Sequence, residues 1–234
     1  MVAMFKKYNL KKYFSSRDAV HDIIIGMSDG LTVPFALAAG ISSTGAHTSV
    51  IVVAGISAII AGCISMGLGG YLAARNDVEY YYNKLEKESN EIKGTPIEEM
   101  QEVVNIFIDY GLTSKEIDPV MEVFQNNPKQ WVNFMVRNEL ELSKPYQGRA
   151  LDSGITVAIS YLISGFIPLF PYIFVKIPYN ALLISIIVTF IALVIFGYVK
   201  AKVVDSNVWK SICNVVLISG LAAGIAFIIG KLIA

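Results

Sequence analysis

Five long apolar stretches dominate this sequence and limit its fold more than any other feature. A membrane-spanning helix needs about 20 mostly apolar residues, and each stretch reaches that length. Only 16% of the 234 residues are charged, against roughly 25% in an ordinary soluble domain. The pattern predicts an all-α integral membrane protein with five transmembrane helices. The stretches are Val20 to Ile41, Val50 to Ala73, Ile155 to Phe174, Tyr179 to Val199 and Val208 to Ile233.

The distribution of charge predicts four regions. Residues 1–17 form a basic N-terminus, and residues 18–74 contain transmembrane helices 1 and 2. Residues 75–149 are rich in charge, with apolar residues at helical spacing, and predict a helical domain inserted between helices 2 and 3. A structureless loop of that length would be unusual in a protein. Residues 150–234 contain helices 3 to 5.

Local signals within the insert predict where its helices begin and end. Thr95 followed by Pro96, with Glu98 three residues after the threonine, predicts a helix start with a capping box. Gly111 is expected to end that helix. Further helix starts are predicted at Ser114 and Pro128.

The basic residues predict the orientation of the chain, because Lys and Arg are enriched in short cytoplasmic loops. The loop of residues 42–49 has neither residue type. The N-terminus and the insert are therefore expected in the cytoplasm, and the C-terminus on the other side. No cleavable signal peptide is expected before the first stretch. The orienting residues are Lys6, Lys7, Lys11, Lys12, Arg17, Arg75, Lys200, Lys202 and Lys210.

Asp29 lies near the middle of the first apolar stretch, where a carboxylate costs at least a few kcal/mol. Asp22 precedes it by two helical turns on the same face. One interpretation is that Asp29 caps a helix break made by Gly30 and Pro34. The interpretation that we favour is a cation or proton site facing the interior of the helix bundle.

Met66 lies in the second stretch, within a run of small residues that permits close helix approach. A single methionine in a membrane helix is most often a packing residue. At a rise of ~1.5 Å per residue, Asp29 and Met66 lie about 14 Å and about 10 Å from the cytoplasmic ends of their helices. The two side chains are therefore expected in one layer. A carboxylate with a thioether favours a borderline transition metal.

Three helix faces in the insert carry candidate metal ligands. Residues three or four apart lie on the same face of a helix. Each face alone is typical of a solvated surface, but the three together predict a cation-binding cluster. The pairs are Glu88 with Glu91, Glu99 with Glu102, and Met135 with Glu139.

Other functional classes find little support in the sequence. It has two histidines, and it lacks the Glu-x-x-His pairs of a di-iron oxidase, a phosphate-binding loop and a Cys/His zinc cluster. Neither an enzyme nor a resident cofactor is expected, and the net charge of +0 does not indicate a nucleic-acid partner. Cys63 and Cys213 lie in apolar runs and are expected to be buried thiols.

Three motifs resemble those of one known family. Residues 28–40, SDGLTVPFALAAG, look like the first-helix signature of the vacuolar iron transporter family. Residues 64–74, ISMGLGGYLAA, are similar to its second-helix signature, and residues 166–172, FIPLFPY, to its third-helix motif. The resemblance extends from about Asp18 through most of the chain.

The resemblance implies a homodimer with five membrane helices per subunit and a cytoplasmic metal-binding domain between helices 2 and 3. It implies export of Fe²⁺ from the cytosol in exchange for protons, with Mn²⁺, Co²⁺ and Zn²⁺ as further candidate substrates. A vacuolar membrane in a eukaryote and a plasma membrane in a prokaryote both fit. The metal ligands that it implies are Asp29 and Met66 in the membrane, and Glu88, Glu91, Glu99, Glu102, Met135 and Glu139 in the insert.

The chain departs from the family pattern at two positions. Val136 replaces the second of two paired methionines, which removes one soft ligand from the insert. Ala58 stands where the family usually has a glutamate, two turns before Met66, so a membrane carboxylate is missing. The departures keep a second function open, namely a membrane-anchored metal buffer or sensor that does not transport.

Overall fold

The computed structural model of the chain describes residues 17–234. The lysines from Lys6 to Lys12, which were used to predict the orientation, lie outside the described residues. The described residues form eight α-helices and no β-strand. They divide into two compact units, one containing the residues up to Leu72 together with Ala150–Ala234, the other Ala73–Arg149. The helices are α1 (Arg17–Ser43), α2 (Thr48–Gly94), α3 (Pro96–Asp109), α4 (Ser114–Asn126), α5 (Pro128–Asn138), α6 (Arg149–Phe174), α7 (Pro178–Val204) and α8 (Val208–Ile233).

Helices α1, α2, α6, α7 and α8 are each long and apolar enough to cross a membrane, which confirms the predicted five spans. Large apolar side chains face outward in this unit, including Phe190 on α7, which is 53% exposed, and Leu221 on α8, which is 64% exposed. Exposure of so many apolar side chains to water would be unfavourable. The chain is therefore a multi-pass membrane protein.

Small residues let the membrane helices approach one another closely. A Cβ atom at Gly26 of α1 would lie 2.5 Å from the carbonyl oxygen of Val157 on α6. Polar side chains add bonds between helices: the hydroxyls of Thr32 and Ser219 lie 2.6 Å apart, joining α1 to α8. The Ser185 hydroxyl of α7 donates to the carbonyl of Pro168 on α6 at 2.6 Å.

Helix α1 runs without interruption from Arg17 to Ser43, with Pro34 inside it. The interpretation that Asp29 caps a helix break is therefore wrong. Proline removes one backbone N–H, but packing against neighbouring helices makes that loss tolerable within a membrane. Gly30 serves close packing instead, because a Cβ atom there would overlap the Ser164 hydroxyl of α6.

The second unit is a small helical domain with its own apolar core. The C-terminal part of α2 packs with α3, α4 and α5, and the rings of Phe107 and Phe134 stack at a centroid distance of 5.1 Å. The most buried side chains are Val103, Ile117, Trp131, Met135 and Val136, each at most 3% exposed.

The helix ends of this unit differ from the prediction at one point. Thr95 makes no side-chain cap, so the capping box with Glu98 is wrong; its hydroxyl donates to the Glu91 carbonyl at 3.3 Å. The turn between α2 and α3 is so short that Thr95 still continues the hydrogen bonding of α2. A capping box forms one helix later, between Thr113 and Glu116.

Candidate metal sites

Two buried carboxyl groups meet inside the second unit. Glu88 projects from α2 and Glu99 from the first turn of α3, and these residues are 4% and 7% exposed. Their side chains are hydrogen-bonded to each other. Glu88 Oε1 and Glu99 Oε2 are buried with no hydrogen-bond partner among the described residues. Buried acceptors without a donor are unfavourable, and a cation would satisfy them.

Burial raises the pKa of both carboxyl groups. The pKa of Glu88 rises to about 8, first because it is desolvated, then because it shares a hydrogen bond with Glu99 and lies near other carboxylates. Burial also raises the pKa of Glu99. A carboxyl pair in this position holds a proton at neutral pH. A divalent cation that binds there must displace it.

Three further predicted ligands surround this pair. Desolvation raises the pKa of Glu139, and the charges of Glu102, Glu99 and Glu91 raise it further. The Glu91 carboxylate forms an ion pair with the Lys87 ammonium group, with Oε1 and Nζ 2.9 Å apart. Across residues 17–234, no three His, Cys, Asp or Glu side chains converge closely enough to hold a metal ion in the observed conformation. Binding by more than the central pair therefore requires side-chain rotation.

Met135 lies in the apolar core of this unit and is fully buried. Its neighbour Val136 is 1% exposed and belongs to the same core. An apolar side chain therefore fits the position without loss of packing. The ligand role of Met135 remains a prediction.

In the membrane unit, Asp29 and Met66 are both half-buried. The Asp29 carboxylate makes no hydrogen bond or ion pair within the described part of the chain. Asp22 is more deeply buried, at 4% exposure, and its Oδ1 lies 3.8 Å from His21 Nδ1. Asp29 is thus the membrane carboxylate that has an unsatisfied charge.

Tyr161 on α6 links Asp29 to the helix that carries Met66. The ring is 2% exposed, and the hydroxyl lies within electrostatic range of Asp29 and Cys63. A Cβ atom at Gly62, one turn before Met66, would overlap that hydroxyl. The sequence interpretation missed Tyr161, although the polar run Ser160, Tyr161, Ser164 within an apolar stretch was a usable signal.

Both cysteines are free thiols. Cys63 is half-buried, whereas Cys213 is exposed on α8, so the expectation of a buried thiol is wrong for Cys213. An apolar thiol is compatible with a lipid-facing position, because sulfur behaves as a small hydrophobic group. Neither cysteine indicates a disulfide or a metal site.

A family comparison matches almost the whole chain. The sequence model of the VIT family matches residues 20–231. Vacuolar iron transporter 1 of Arabidopsis thaliana is 43% identical over 226 residues, covering 97% of this chain and 90% of the relative. The vacuolar iron transporter of Centaurea cyanus is 46% identical over 231 residues, covering 97% of this chain and 94% of the relative.

A more distant relative extends the same similarity to fungi. Protein CCC1 of Saccharomyces cerevisiae is 36% identical over 231 residues, covering 94% of this chain and 71% of the relative. The family consists of membrane transporters rather than enzymes. With five apolar helices, a family match from residue 20 to residue 231 and relatives above 40% identity, the chain belongs to the VIT family.

Proposed function

We propose that this protein transports Fe²⁺ out of the cytosol across a vacuolar membrane. Relatives named vacuolar iron transporters support the substrate and the membrane. The single observation that carries the proposal is the buried pair Glu88 and Glu99, each with an unpartnered oxygen. Buried carboxylates that lack hydrogen-bond donors suit a hard or borderline cation.

The insert is proposed to collect the ion. Glu88 and Glu99 bind it first, and the more mobile carboxylates Glu91, Glu102 and Glu139 rotate inward to complete the shell. Met135 supplies a weaker thioether ligand that favours Fe²⁺ over Mg²⁺ and Ca²⁺. Mn²⁺, Co²⁺ and Zn²⁺ accept the same ligand types, so the proposal extends to them as competing substrates.

The membrane site is proposed to consist of Asp29 and Met66. At that depth in the membrane, few other groups can replace the negative charge of Asp29. Ala58 leaves the site without the second carboxylate that the family resemblance implies. Proton exchange, if the protein is an antiporter, then rests on Asp29. Tyr161 on α6 lies within electrostatic range of the Asp29 carboxylate.

The insert and the N-terminus are proposed to face the cytosol, since the basic residues are concentrated there. This orientation places the collecting carboxylates on the side from which the metal is taken. The loop between α7 and α8 would lie on the same side, with Lys200 and Lys202 at the end of α7.

A homodimer is also proposed, and two glycines of the small-residue run around Met66 are used for packing within the subunit. Cβ atoms at Gly67 and Gly70 would contact Ala158 and Val157 of α6 at 2.9 and 3.0 Å. The exposed small residues on α2 lie at four-residue intervals on another face, which permits close helix approach. They are Ser57, Ala61, Ser65 and Gly69.

Flux in sealed liposomes separates transport from the buffer or sensor alternative. Purified protein is reconstituted, Fe²⁺ is added outside under anaerobic conditions, and metal associated with the washed liposomes is measured before and after permeabilisation. Transported metal accumulates with time and is released on permeabilisation. Metal that remains bound in stoichiometric amount after permeabilisation would reject the transporter and favour the buffer.

A further inference from the structure

A polar cavity of about 300 Å³ lies within the second unit, apart from the glutamate cluster. It is formed by α2, by one face of α5 and by the loop that follows α5. Its volume is at the lower end of the ~300–1,000 Å³ range of ligand pockets. None of the side chains that line it is acidic. Its polar lining consists of Tyr81, Asn133, Arg137, Ser143 and Lys144.

Two exposed cations line the open side of the cavity, and neither is paired with an acidic side chain among the described residues. Within residues 17–234, neither Arg137 nor Lys144 forms an ion pair or a side-chain hydrogen bond. Arg137 lies in the last turn of α5, where the helix dipole favours a cation. That preference explains one positive charge at this end of the helix. Lys144 in the loop adds a second exposed positive charge on the same cavity.

Tyr81 places an unused hydrogen-bond donor in the same cavity. The residue is 6% exposed, and its hydroxyl makes no hydrogen bond within the described part of the chain. The ring is buried, but the hydroxyl oxygen is not among the buried polar atoms without a partner, so it reaches the space of the cavity. Because Tyr81 lines the cavity, a bound ligand can accept a hydrogen bond from this hydroxyl. Ser143 likewise has a hydroxyl without a hydrogen bond among the described residues.

The chain around the cavity is held in place by backbone hydrogen bonds. The Leu140 and Leu142 amides donate to the Met135 and Val136 carbonyls at 3.2 and 3.0 Å. Glu141 between them has a φ of +52°, in the left-handed region that few residues other than glycine adopt. This sharp return brings the loop residues Ser143 and Lys144 to the face of α5 that bears the arginine.

We propose that this cavity binds a phosphate group. Arg137 and Lys144 neutralise its charge, while the hydroxyls of Tyr81 and Ser143 donate hydrogen bonds to its oxygens. Asn133 uses one amide hydrogen on the Lys129 carbonyl at 2.7 Å and has a second to donate. Phosphate offers several strong acceptor oxygens around one centre, which matches a set of donors and cations. The site stands independently of the proposed metal transport.

The phosphate has two possible sources, a free ion or the headgroup of a lipid. Both sources present the same phosphate chemistry, so the experiment has one arm for each. In the first arm, the full chain in phosphatidylcholine nanodiscs is titrated with inorganic phosphate by calorimetry, without metal. In the second arm, the same protein is placed in nanodiscs with and without a phosphatidylinositol phosphate, and retention of that lipid is measured after exchange.

Three variants assign any binding to this cavity. The pair Arg137→Gln and Lys144→Gln should weaken binding at least tenfold, and Tyr81→Phe about threefold to tenfold. The pair Lys93→Gln and Lys115→Gln removes the same charge from exposed lysines elsewhere in the unit and should leave binding unchanged. Variants are compared only after they show the parent's thermal stability.

The source is identified by the arm in which saturable, variant-sensitive binding occurs. Binding of inorganic phosphate in neutral nanodiscs indicates a free ion, and binding confined to the lipid arm indicates a headgroup. Absence of saturable binding in both arms overturns the proposal. An equal loss in the Lys93 and Lys115 control also overturns it, because the effect would then be general electrostatic attraction.

Discussion

Glu88 shows how one residue links a proton to a metal ion. Its carboxyl is desolvated and has a pKa of about 8, against 4.5 for an exposed glutamate. Fe²⁺ must displace the proton that Glu88 holds at pH 7. On the proposed function, metal binding by the insert therefore depends on pH.

Metal binding by the insert should therefore strengthen as pH rises toward 8. Below that pKa, Glu88 is protonated in the metal-free protein, so each unit of pH removes a competing proton and raises affinity up to tenfold; above it the gain levels off. Calorimetry with Mn²⁺ between pH 6 and pH 8.5 measures this slope.

The Glu88→Gln variant should bind more weakly and show a flatter pH dependence. Glu86→Gln is the matched control, because Glu86 is exposed on the same helix, and it should keep the parent's slope. An unchanged slope in Glu88→Gln would show that another group carries the proton.

At the scale of elements, α1 and α6 approach each other closely at two glycines of α1. A Cβ atom at Gly26 would lie 2.5 Å from the carbonyl oxygen of Val157, and one at Gly30 would lie 2.5 Å from that of Tyr161. A side chain at either glycine must therefore push the helices apart. The same approach places Tyr161 near Asp29.

Gly26→Ala should destabilise the protein. Its Cβ atom would lie 2.5 Å from a carbonyl oxygen and 2.8 Å from the Ser160 Cβ, and overpacking of this kind costs about 1–3 kcal/mol. Gly220→Ala is the control, since it has no atom within 4 Å and alanine favours a helix. Thermal unfolding in detergent measures both. Equal melting temperatures for the two variants would mean that the α1–α6 contact is looser than described.

The five spans were predictable because their apolar length is a local property of the sequence. The continuation of α2 beyond its apolar run, to Gly94, was also predictable, because residues 80–92 contain neither Gly nor Pro and charged residues there remain good helix formers. The capping box was placed at Thr95 instead of Thr113 because both threonines precede a glutamate by three residues. Only the tight α2–α3 turn distinguishes them.

The candidate ligands were also predictable as residue types, but their grouping was not. Helical spacing places Glu88 beside Glu91, whereas the structure pairs Glu88 with Glu99 across two helices. Tyr161 is 132 residues from Asp29 in the sequence, and local patterns cannot reveal such a contact. Side-chain pairing between helices depends on their packing, which spacing within one helix does not determine.

For the whole molecule, the proposed homodimer has two candidate surfaces. The stripe of Ser57, Ala61, Ser65 and Gly69 on α2 is exposed, as are Gly220 and Gly224 on α8. The α2 stripe is longer and lies on the helix that carries Met66. A dimer formed there would bring two copies of that helix together.

Ala61→Leu should convert the dimer to a monomer, because a larger side chain in the middle of the stripe prevents close approach. Gly220→Leu is the matched control on α8 and should leave the dimer intact. Native mass measurement in several mild detergents and in nanodiscs gives the oligomeric state. The reverse pattern would move the interface to α8, and a monomeric parent in every medium would contradict dimerisation.

The most direct test of iron transport through the membrane site compares Fe²⁺ accumulation in liposomes for three proteins: the parent, Asp29→Asn and Glu139→Gln. The asparagine keeps the size of Asp29 and removes the charge for which the membrane has no substitute. Glu139 has carboxylates nearby that partly replace it. All three proteins must first show equal folding and insertion.

The parent should accumulate Fe²⁺, Asp29→Asn should fall to the level of protein-free liposomes, and Glu139→Gln should retain a measurable fraction. Accumulation by Asp29→Asn at the parent's rate would contradict the account, because the ion would then cross the membrane without the carboxylate at the centre of the proposed site.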